Sequence, residues 1–206
     1  AAVGARVSVK SGNLTQLRQV EGGMGCHGSQ NSLVQHFGFD FRTAIDWVEV
    51  EWPCGRIERF TGVGTNRMLN ITESTLPVPV VSAASAAPSP TVEDKNVAFS
   101  AAASVTGGSI AKWQWDFTSD NFFEWENSAN ANTVHAYADN GTYHARLRVW
   151  SDKGIGVKYG PVVVTVRNLP PTADAGPDRT VGMDSLAVFN GSASNDTKTD
   201  MEKGLL

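Results

Sequence analysis

Period-two alternation of apolar and polar residues is the feature that most constrains the fold of this chain. Residues 45–52 read IDWVEVEW, with Glu49 and Glu51 on the face opposite Val48, Val50 and Trp52. Residues 143–149 read YHARLRV, with His144, Arg146 and Arg148 on the outward face. Residues 5–9, 14–20 and 162–166 read as further strands. Successive side chains of a strand point to opposite faces, whereas a helix repeats every 3.6 residues. Because helical periodicity is almost absent, the sequence predicts an all-β chain.

The charge balance excludes two classes of partner. The 206 residues carry 17 Lys plus Arg against 21 Asp plus Glu, a formal net charge of −4. A nucleic-acid binder or a protein of anionic membrane surfaces would carry a basic excess, so we expect neither partner. No apolar run approaches the roughly 20 residues of a membrane span, so we expect no membrane insertion. Nothing at the first residue resembles a signal peptide, so any export signal would lie upstream.

Proline-rich segments divide the chain into three parts. Residues 76–90 read LPVPVVSAASAAPSP, which cannot hold a helix and suggests an extended connector leading into an edge strand. The tetrapeptide NLPP at 168–171 repeats this break. We therefore predict a small β module at 1–76, a second module at 77–168 and a third part at 169–206.

Two cysteines, Cys26 and Cys54, are too few for a disulfide scaffold and lack the spacing of a zinc site. They form either one disulfide or two free thiols. Both lie in the predicted first module, which favours the disulfide.

The first module resembles the ASPIC/UnbV family over residues 4–73. The matching segments are GARVSV, LRQVEGGMGCHGSQNS, HFGFD, VEVEWPCGRIERFTGV and LNITE. At the positions of Cys26 and Cys54 the family commonly has Tyr and Ser. The resemblance therefore strengthens the predicted pairing, since both exceptional residues are cysteine.

Residues 78–168 resemble a PKD domain, which implies an immunoglobulin-like β-sandwich. The matching segments are IAKWQWDF and VHAYADNGTYHARLRVWSDKG. Alternation places Trp113, Trp115 and Phe117 on one face, where large aromatic rings would anchor a core. The family's Gly-Asp-Gly turn is absent at residues 116–121, which read DFTSDN, so a standard tight turn is not expected there.

The third part resembles the opening of a second PKD domain. It reads PPTADAGPDRTVGMDSLAVFNGSASND, but the Trp-Asp-Phe and Gly-x-Tyr strands do not follow. A half sandwich leaves strand edges unpaired. The resemblance therefore predicts an incomplete second sandwich, either as part of a longer protein, disordered, or completed by another chain.

No motif for catalysis stands out, and we predict no catalytic residue. There is no GxSxG, HExxH or phosphate-binding loop. Structural hydrogen bonds are expected for His36, in HFGFD, and for His135, at the PKD family's His-x-Tyr position.

The best metal candidate is calcium, since it prefers oxygen ligands. Asp116, Asp120 and Asn121 form one oxygen-rich cluster. The alternative is that these side chains cap backbone amides within a turn.

Aromatic residues in the same loop are the second candidate site. Phe122, Phe123 and Trp125 lie among acidic residues, and rings in this setting bind sugars or protein partners. The alternative is that they plug the end of the sandwich or pack against the first module.

These features predict a non-catalytic spacer, adhesion or ligand-binding region of a large secreted or cell-surface protein. The family resemblances imply an extracellular protein or polysaccharide as partner, together with contacts to the rest of a longer chain. The alternative hypothesis is a set of accessory modules of an extracellular hydrolase whose catalytic domain lies outside this chain.

Overall fold

The fold consists almost entirely of β-strands. A computed structural model describes residues 2–23 and 32–202. The elements are β1 Arg6–Ser11, β2 Leu14–Gln19, β3 Trp47–Glu51, β4 Arg56–Phe60, β5 Val80–Ala87, β6 Thr91–Val92, β7 Asn96–Ser104, β8 Ile110–Asp116, β9 Trp125–Asn127, β10 Thr133–Ala136, β11 Gly141–Ser151, β12 Ile155–Arg167 and α1 Lys198–Glu202. The predicted all-β class is confirmed.

One long sheet runs through both of the first two parts of the chain. Its strand order is β2-β1-β3-β4-β12-β11-β8-β9, with β6 added in parallel beside β12. The join is antiparallel pairing of β4 with β12, where Glu58, Ile57 and Arg56 lie opposite Ile155, Gly156 and Val157. The proline-rich segments predict two separate modules, and no local pattern in the sequence predicts this join.

A three-stranded sheet, ordered β10-β7-β5, accompanies the second half of the long sheet. The hydrophobic core of this part includes residues of both sheets. Among them are the buried side chains of Trp115 and Phe99, whose ring centroids are 5.1 Å apart. The Trp115 indole N–H donates to the Ala131 carbonyl at 2.8 Å, so its polar atom is also satisfied. Trp113 and Phe117 are buried in the same core, as the alternation predicts. The immunoglobulin-like sandwich is confirmed.

The first part of the chain has a smaller core on the same face of the long sheet. Ala5, Val20, Val50 and Trp52 are its buried residues. The Trp52 indole N–H donates to the Glu58 carboxylate at 2.8 Å.

The outward face of β11 departs from the simple expectation of solvent exposure. His144 is exposed and Arg146 is half-buried, but Arg148 is only 8% exposed. Arg148 does leave the sandwich core as alternation requires. It is buried on the opposite face because residues of the first module and of the β8–β9 loop cover it.

Residues 169–202 contain little regular structure. They include an isolated antiparallel bridge between Thr172 and Asn195 and the short helix α1. Apolar side chains of this part are exposed, among them Met183, Leu186 and Phe189. The strands that the family resemblance leads one to expect are represented here by this one bridge.

Candidate functional site

The outer face of the long sheet carries alternating aromatic and arginine side chains across the join. We call Trp47, Arg59, Trp150, Arg148 and Phe123 the ladder. The Arg59 guanidinium carbon lies 4.7 Å from the Trp47 ring centroid and 5.0 Å from that of Trp150. The Arg148 guanidinium carbon lies 5.2 Å from the Trp150 ring and 4.0 Å from the Phe123 ring. These distances are within the range of cation–π attraction. The contact of Arg59 with Trp150 crosses the join, and the other three contacts lie on either side of it.

Glu49 is the acidic centre of the ladder. Its Oε2 lies 2.6 Å from Arg59 Nη2, and its Oε1 lies 3.1 Å from Arg148 Nη1. Arg148 Nε donates to Gln114 Oε1 at 2.9 Å, and the Trp150 indole N–H donates to the same oxygen at 2.7 Å. Burial lowers the pKa of Arg148, whereas the negative charge of Glu49 acts in the opposite direction. Each guanidinium therefore has a hydrogen-bonded partner at the join.

A second ion pair crosses the join. Lys158 Nζ lies 2.8 Å from Glu51 Oε2, and both side chains are partly exposed. Such a pair is worth less than one that is buried, but it adds a contact across β4 between β3 and β12.

The three candidate aromatic residues take different positions. Phe122 is 68% exposed in the β8–β9 loop. Phe123 is half-buried over Arg148, and half-buried Trp125 lies opposite Trp115 and packs against the sandwich core. Phe122 is therefore the ring of this group that offers most of its surface to solvent.

The candidate calcium residues lie together in the same loop. Carboxylate oxygens of Asp116, Asp120 and Glu124 lie within 4.8 Å of one another. The two Asp116 oxygens accept backbone N–H groups of Ser119 at 2.7 Å and Asn121 at 3.0 Å. These contacts are of the amide-capping kind that the alternative interpretation describes, and calcium at this loop stays a prediction.

His135 and Tyr137 lie beside this loop. The His135 ring stacks on Phe117 with centroids 4.1 Å apart and meets Tyr137 edge-on at 4.6 Å. Burial lowers the pKa of His135 and outweighs the opposing effect of Glu124. Burial also raises the pKa of Tyr137, whose hydroxyl donates to the Phe117 carbonyl at 3.2 Å. His135 thus contributes ring packing, where sequence analysis predicted a hydrogen bond.

The first module contains a cavity of about 790 Å³. It lies beneath the core face of β1 and β3, and its lining includes Val7, Val48, Trp52, His36 and Phe37. His36 is exposed at this cavity.

Cys26 of the predicted disulfide lies outside the described residues. Cys54 is exposed, and its Sγ lies 2.9 Å from Glu73 Oε1. The pairing of Cys26 with Cys54 stays a prediction.

Sequence reasoning missed the ladder, apart from Phe123. The alternation placed Glu49 and Arg148 on outward faces, which is the signal that was present. Their contact spans 99 positions in sequence, and it depends on the pairing of β4 with β12. Since no local pattern encodes that pairing, the ladder could not be deduced from either module alone.

The fold and the joined outer face define a chain of β modules whose second member is an immunoglobulin-like sandwich. The family model described as "ASPIC and UnbV" matches residues 1–77, and the model described as "PKD domain" matches residues 78–166. The chain therefore carries an ASPIC and UnbV module followed by a PKD domain. Modules of the PKD type are usually non-catalytic.

The similarity to individual proteins is weaker than the similarity to the two families. No curated protein matches the sequence. One solved structure, from a study of the promiscuous specificity of carbohydrate-binding modules of the β-sandwich superfamily, is 25% identical with a TM-score of 0.36, and the match covers 46% of this chain and 36% of that one. Another, of Clostridium thermocellum CbhA fibronectin(III)-like modules, is 14% identical with a TM-score of 0.36 and covers 79% of this chain and 77% of that one. The family assignment rests on the two sequence matches.

Among residues 2–23 and 32–202, no helix has the length and apolar character needed to cross a bilayer.

Proposed function

We propose that this chain is a stiff, non-catalytic spacer that presents a ligand-binding loop in a larger secreted or cell-surface protein. The observation that carries the proposal is the continuous sheet across the ASPIC and UnbV module and the PKD domain. Domains joined by a bare linker reorient freely unless their interface is substantial. Here backbone pairing, the ladder and the Lys158–Glu51 ion pair all oppose rotation at the join.

Stiffness suits a module that holds another part of a protein at a fixed distance. The long sheet ends at β2 on one side and at β9 on the other. The β8–β9 loop with Phe122 lies at the β9 end, and Phe123 of this loop packs over Arg148, which is ion-paired to Glu49 of the first module. The proposed spacer would therefore hold this loop in a fixed position relative to the first module.

The proposed ligand is an extracellular polysaccharide or protein bound at Phe122. An exposed phenyl ring offers apolar area worth about 25 cal/mol per Å² on burial. Asp120 and Glu124 flank the ring with polar oxygens that could accept hydrogen bonds from sugar hydroxyls or protein donors. Phe123 and Trp125 support the loop from beneath through their internal contacts.

Stiffness can be tested with spin labels at exposed Thr15 of β2 and Asn127 of β9, in a Cys26→Ser, Cys54→Ser background. Pulsed electron–electron double resonance then measures the distribution of distances between the two labels, which lie on the two outer strands of the long sheet. We expect one narrow distribution. A broad distribution in this background, with the circular dichroism of a folded chain, would contradict the spacer proposal.

A ladder variant provides the second half of this test. Arg59→Ala removes the guanidinium between Trp47 and Trp150, and we expect a broader distance distribution. The matched control is Arg6→Ala on the same face of the sheet, where the guanidinium makes a long 3.8 Å ion pair with Glu51. Equal broadening in both variants would show that the ladder has no specific part in stiffness.

Ligand binding is tested separately with Phe122→Ala on arrays of polysaccharides and surface glycoproteins. Phe189 is a matched control, because both phenylalanines are 68% exposed. We expect Phe122→Ala to weaken binding and Phe189→Ala to leave it unchanged. Binding that survives Phe122→Ala would reject the loop as the binding site while leaving the spacer proposal intact.

A further inference from the structure

Three acidic side chains from distant parts of the chain meet at one end of the PKD domain. Glu93 follows β6, Asp139 lies in the turn between β10 and β11, and Asp200 lies in α1. Their carboxylate oxygens lie within 4.8 Å of one another. The members of this group are far apart in the chain and form no motif, so the sequence pattern does not indicate it.

Glu93 is the unusual member of the group. Its side chain is 0% exposed, and its Oε2 accepts the backbone N–H of Leu169 at 3.1 Å. Its Oε1 is buried and has no hydrogen-bond partner. Buried polar atoms nearly always have a partner, and a buried carboxylate oxygen without one is costly. A bound group beside Oε1 would give this buried oxygen the partner that it lacks.

The negative charges of this acidic group would also be stabilised by a positively charged partner. Asp200 is only 4% exposed. Neither Glu93 nor Asp200 forms an ion pair with a Lys, Arg or His in the part of the chain that the structure describes. Like charges at this separation repel one another strongly when water is scarce.

The group is held in place by contacts outside the carboxylates. Thr199 Oγ1 in α1 donates to the Ala138 carbonyl at 2.5 Å. The backbone N–H of Asp94 donates to the Tyr137 carbonyl at 2.9 Å, which ties the segment bearing Glu93 to the same turn. The acidic side chains are thus brought together by independent hydrogen bonds.

We propose that Glu93, Asp139 and Asp200 bind a divalent cation of the calcium type. The donors are all carboxylate oxygens, which suit a hard cation, whereas zinc favours nitrogen and sulfur ligands. Three carboxylates leave several coordination positions for water or backbone carbonyls, as calcium commonly accepts. The cation supplies the partner that Glu93 Oε1 lacks.

The position of the site gives the cation a mechanical role. Glu93 and Asp139 belong to the PKD domain, whereas Asp200 belongs to the segment that follows it. Binding one ion to all three would fasten α1 to the end of the sandwich. The segment from 169 to 202 has few other regular contacts, so the ion would order the exit from the PKD domain.

Calcium binding can be measured directly on the full 206-residue chain after treatment with a chelator and gel filtration. Isothermal titration calorimetry with calcium chloride should show binding with a dissociation constant of about 10⁻⁴–10⁻³ M, the range of extracellular calcium-binding modules. Terbium luminescence is a second readout, because Tyr143 donates its hydroxyl to the Asp139 carbonyl at 2.9 Å and would sensitise a nearby ion. Absence of both signals would overturn the proposal.

Variants separate this site from the acidic loop at β8–β9. Asp200→Asn and Glu93→Gln should each weaken binding by tenfold or more, whereas Asp120→Asn should leave this site unchanged. Asp200→Asn is the safer variant, since Asp200 lies in a short peripheral helix and its loss should not unfold the sandwich. Unchanged binding in Asp200→Asn and Glu93→Gln, or binding lost only in Asp120→Asn, would overturn the assignment.

Limited trypsin digestion reports the mechanical role. Arg179 and Lys198 lie within the segment that the ion would fasten. We expect calcium to slow cleavage there at least several-fold in the unmodified chain and to have no effect in Asp200→Asn. Equal cleavage rates with and without saturating calcium would contradict the proposed clamp.

Discussion

The ASPIC and UnbV module and the PKD domain use the same sheet but complete it differently. The PKD domain covers its half with a second sheet and has twelve buried core residues, including Trp115 and Phe99. Among the described residues, the buried core cluster of the first module has four members, and a cavity of about 790 Å³ lies beside them. Within residues 2–23 and 32–202, one half is therefore a closed sandwich, and the other is a sheet whose described residues leave a cavity beside the core.

This difference suggests that the PKD domain contributes more of the free energy of folding than the first module does. A domain that buries more apolar area gains more free energy of folding, and void space forfeits packing contacts. The first module has an edge strand, β4, that pairs with β12 of the PKD domain. We infer that the PKD domain can fold without the first module, whereas the first module relies on the PKD domain as a template.

The largest expected effect comes from Trp115→Ala. Trp115 is fully buried and its indole N–H is hydrogen bonded, so truncation should cost about 3–5 kcal/mol of the free energy of unfolding. Since the first module relies on β12, we expect both modules to unfold together. Urea denaturation followed by circular dichroism and by tryptophan fluorescence tests this. A first module that stays folded in this variant would break the template inference.

The matching change in the first module is Trp52→Ala. Trp52 also donates its indole N–H, to Glu58, but it borders the cavity and so loses fewer contacts when truncated. We expect a loss of about 2–3 kcal/mol, confined to the first module. Amide hydrogen exchange should then show faster exchange in β1 and β3 and unchanged protection in β8 and β11. Faster exchange in all four strands would mean that the dependence is mutual.

A smaller effect is expected at the join itself. A Cβ atom added at Gly156 would lie 2.9 Å from Cε3 of the Trp150 ring, so Gly156→Ala must displace Trp150 from the ladder. Overpacking of this kind costs about 1–2 kcal/mol. Gly38→Ala is the control, because an added Cβ there meets nothing within 4 Å. Equal unfolding temperatures in the two variants would show that the packing of the Trp150 ring on Gly156 does not contribute to stability.

The sequence predicted local structure better than the relation between modules. Alternation at residues 45–52 and 143–149 predicted β3 and β11, and the inward face of Trp113, Trp115 and Phe117 was correct. These features follow from the two-residue period of a strand, which any short segment displays. The edge position of β5 likewise follows from the prolines on either side of it.

The pairing of β4 with β12 and the group at Glu93 depend on contacts between distant segments. Arg148 illustrates the limit: parity placed it outward, but only the docking of the first module explains why it is buried beside Glu49. In the same way, no local pattern joins Glu93 with Asp200. The sequence supplied the residue types, and the three-dimensional arrangement supplied the sites.

The smallest expected effect is a pH dependence confined to the PKD domain. Burial lowers the pKa of His135 below its ordinary value of 6.5, so the folded chain binds a proton less readily than the unfolded chain. The contribution of neutral His135 to stability is therefore fully present above about pH 6.5 and declines as the pH falls towards the lowered pKa. Glu124 opposes this shift but does not cancel it. Thermal melts from pH 7.5 to pH 5 in chelator-containing buffer should show a steeper loss for the unmodified chain than for His135→Gln. Exposed His144 is the control, and the same flattening in His144→Gln would assign the effect to histidine charge in general and not to the stacked ring.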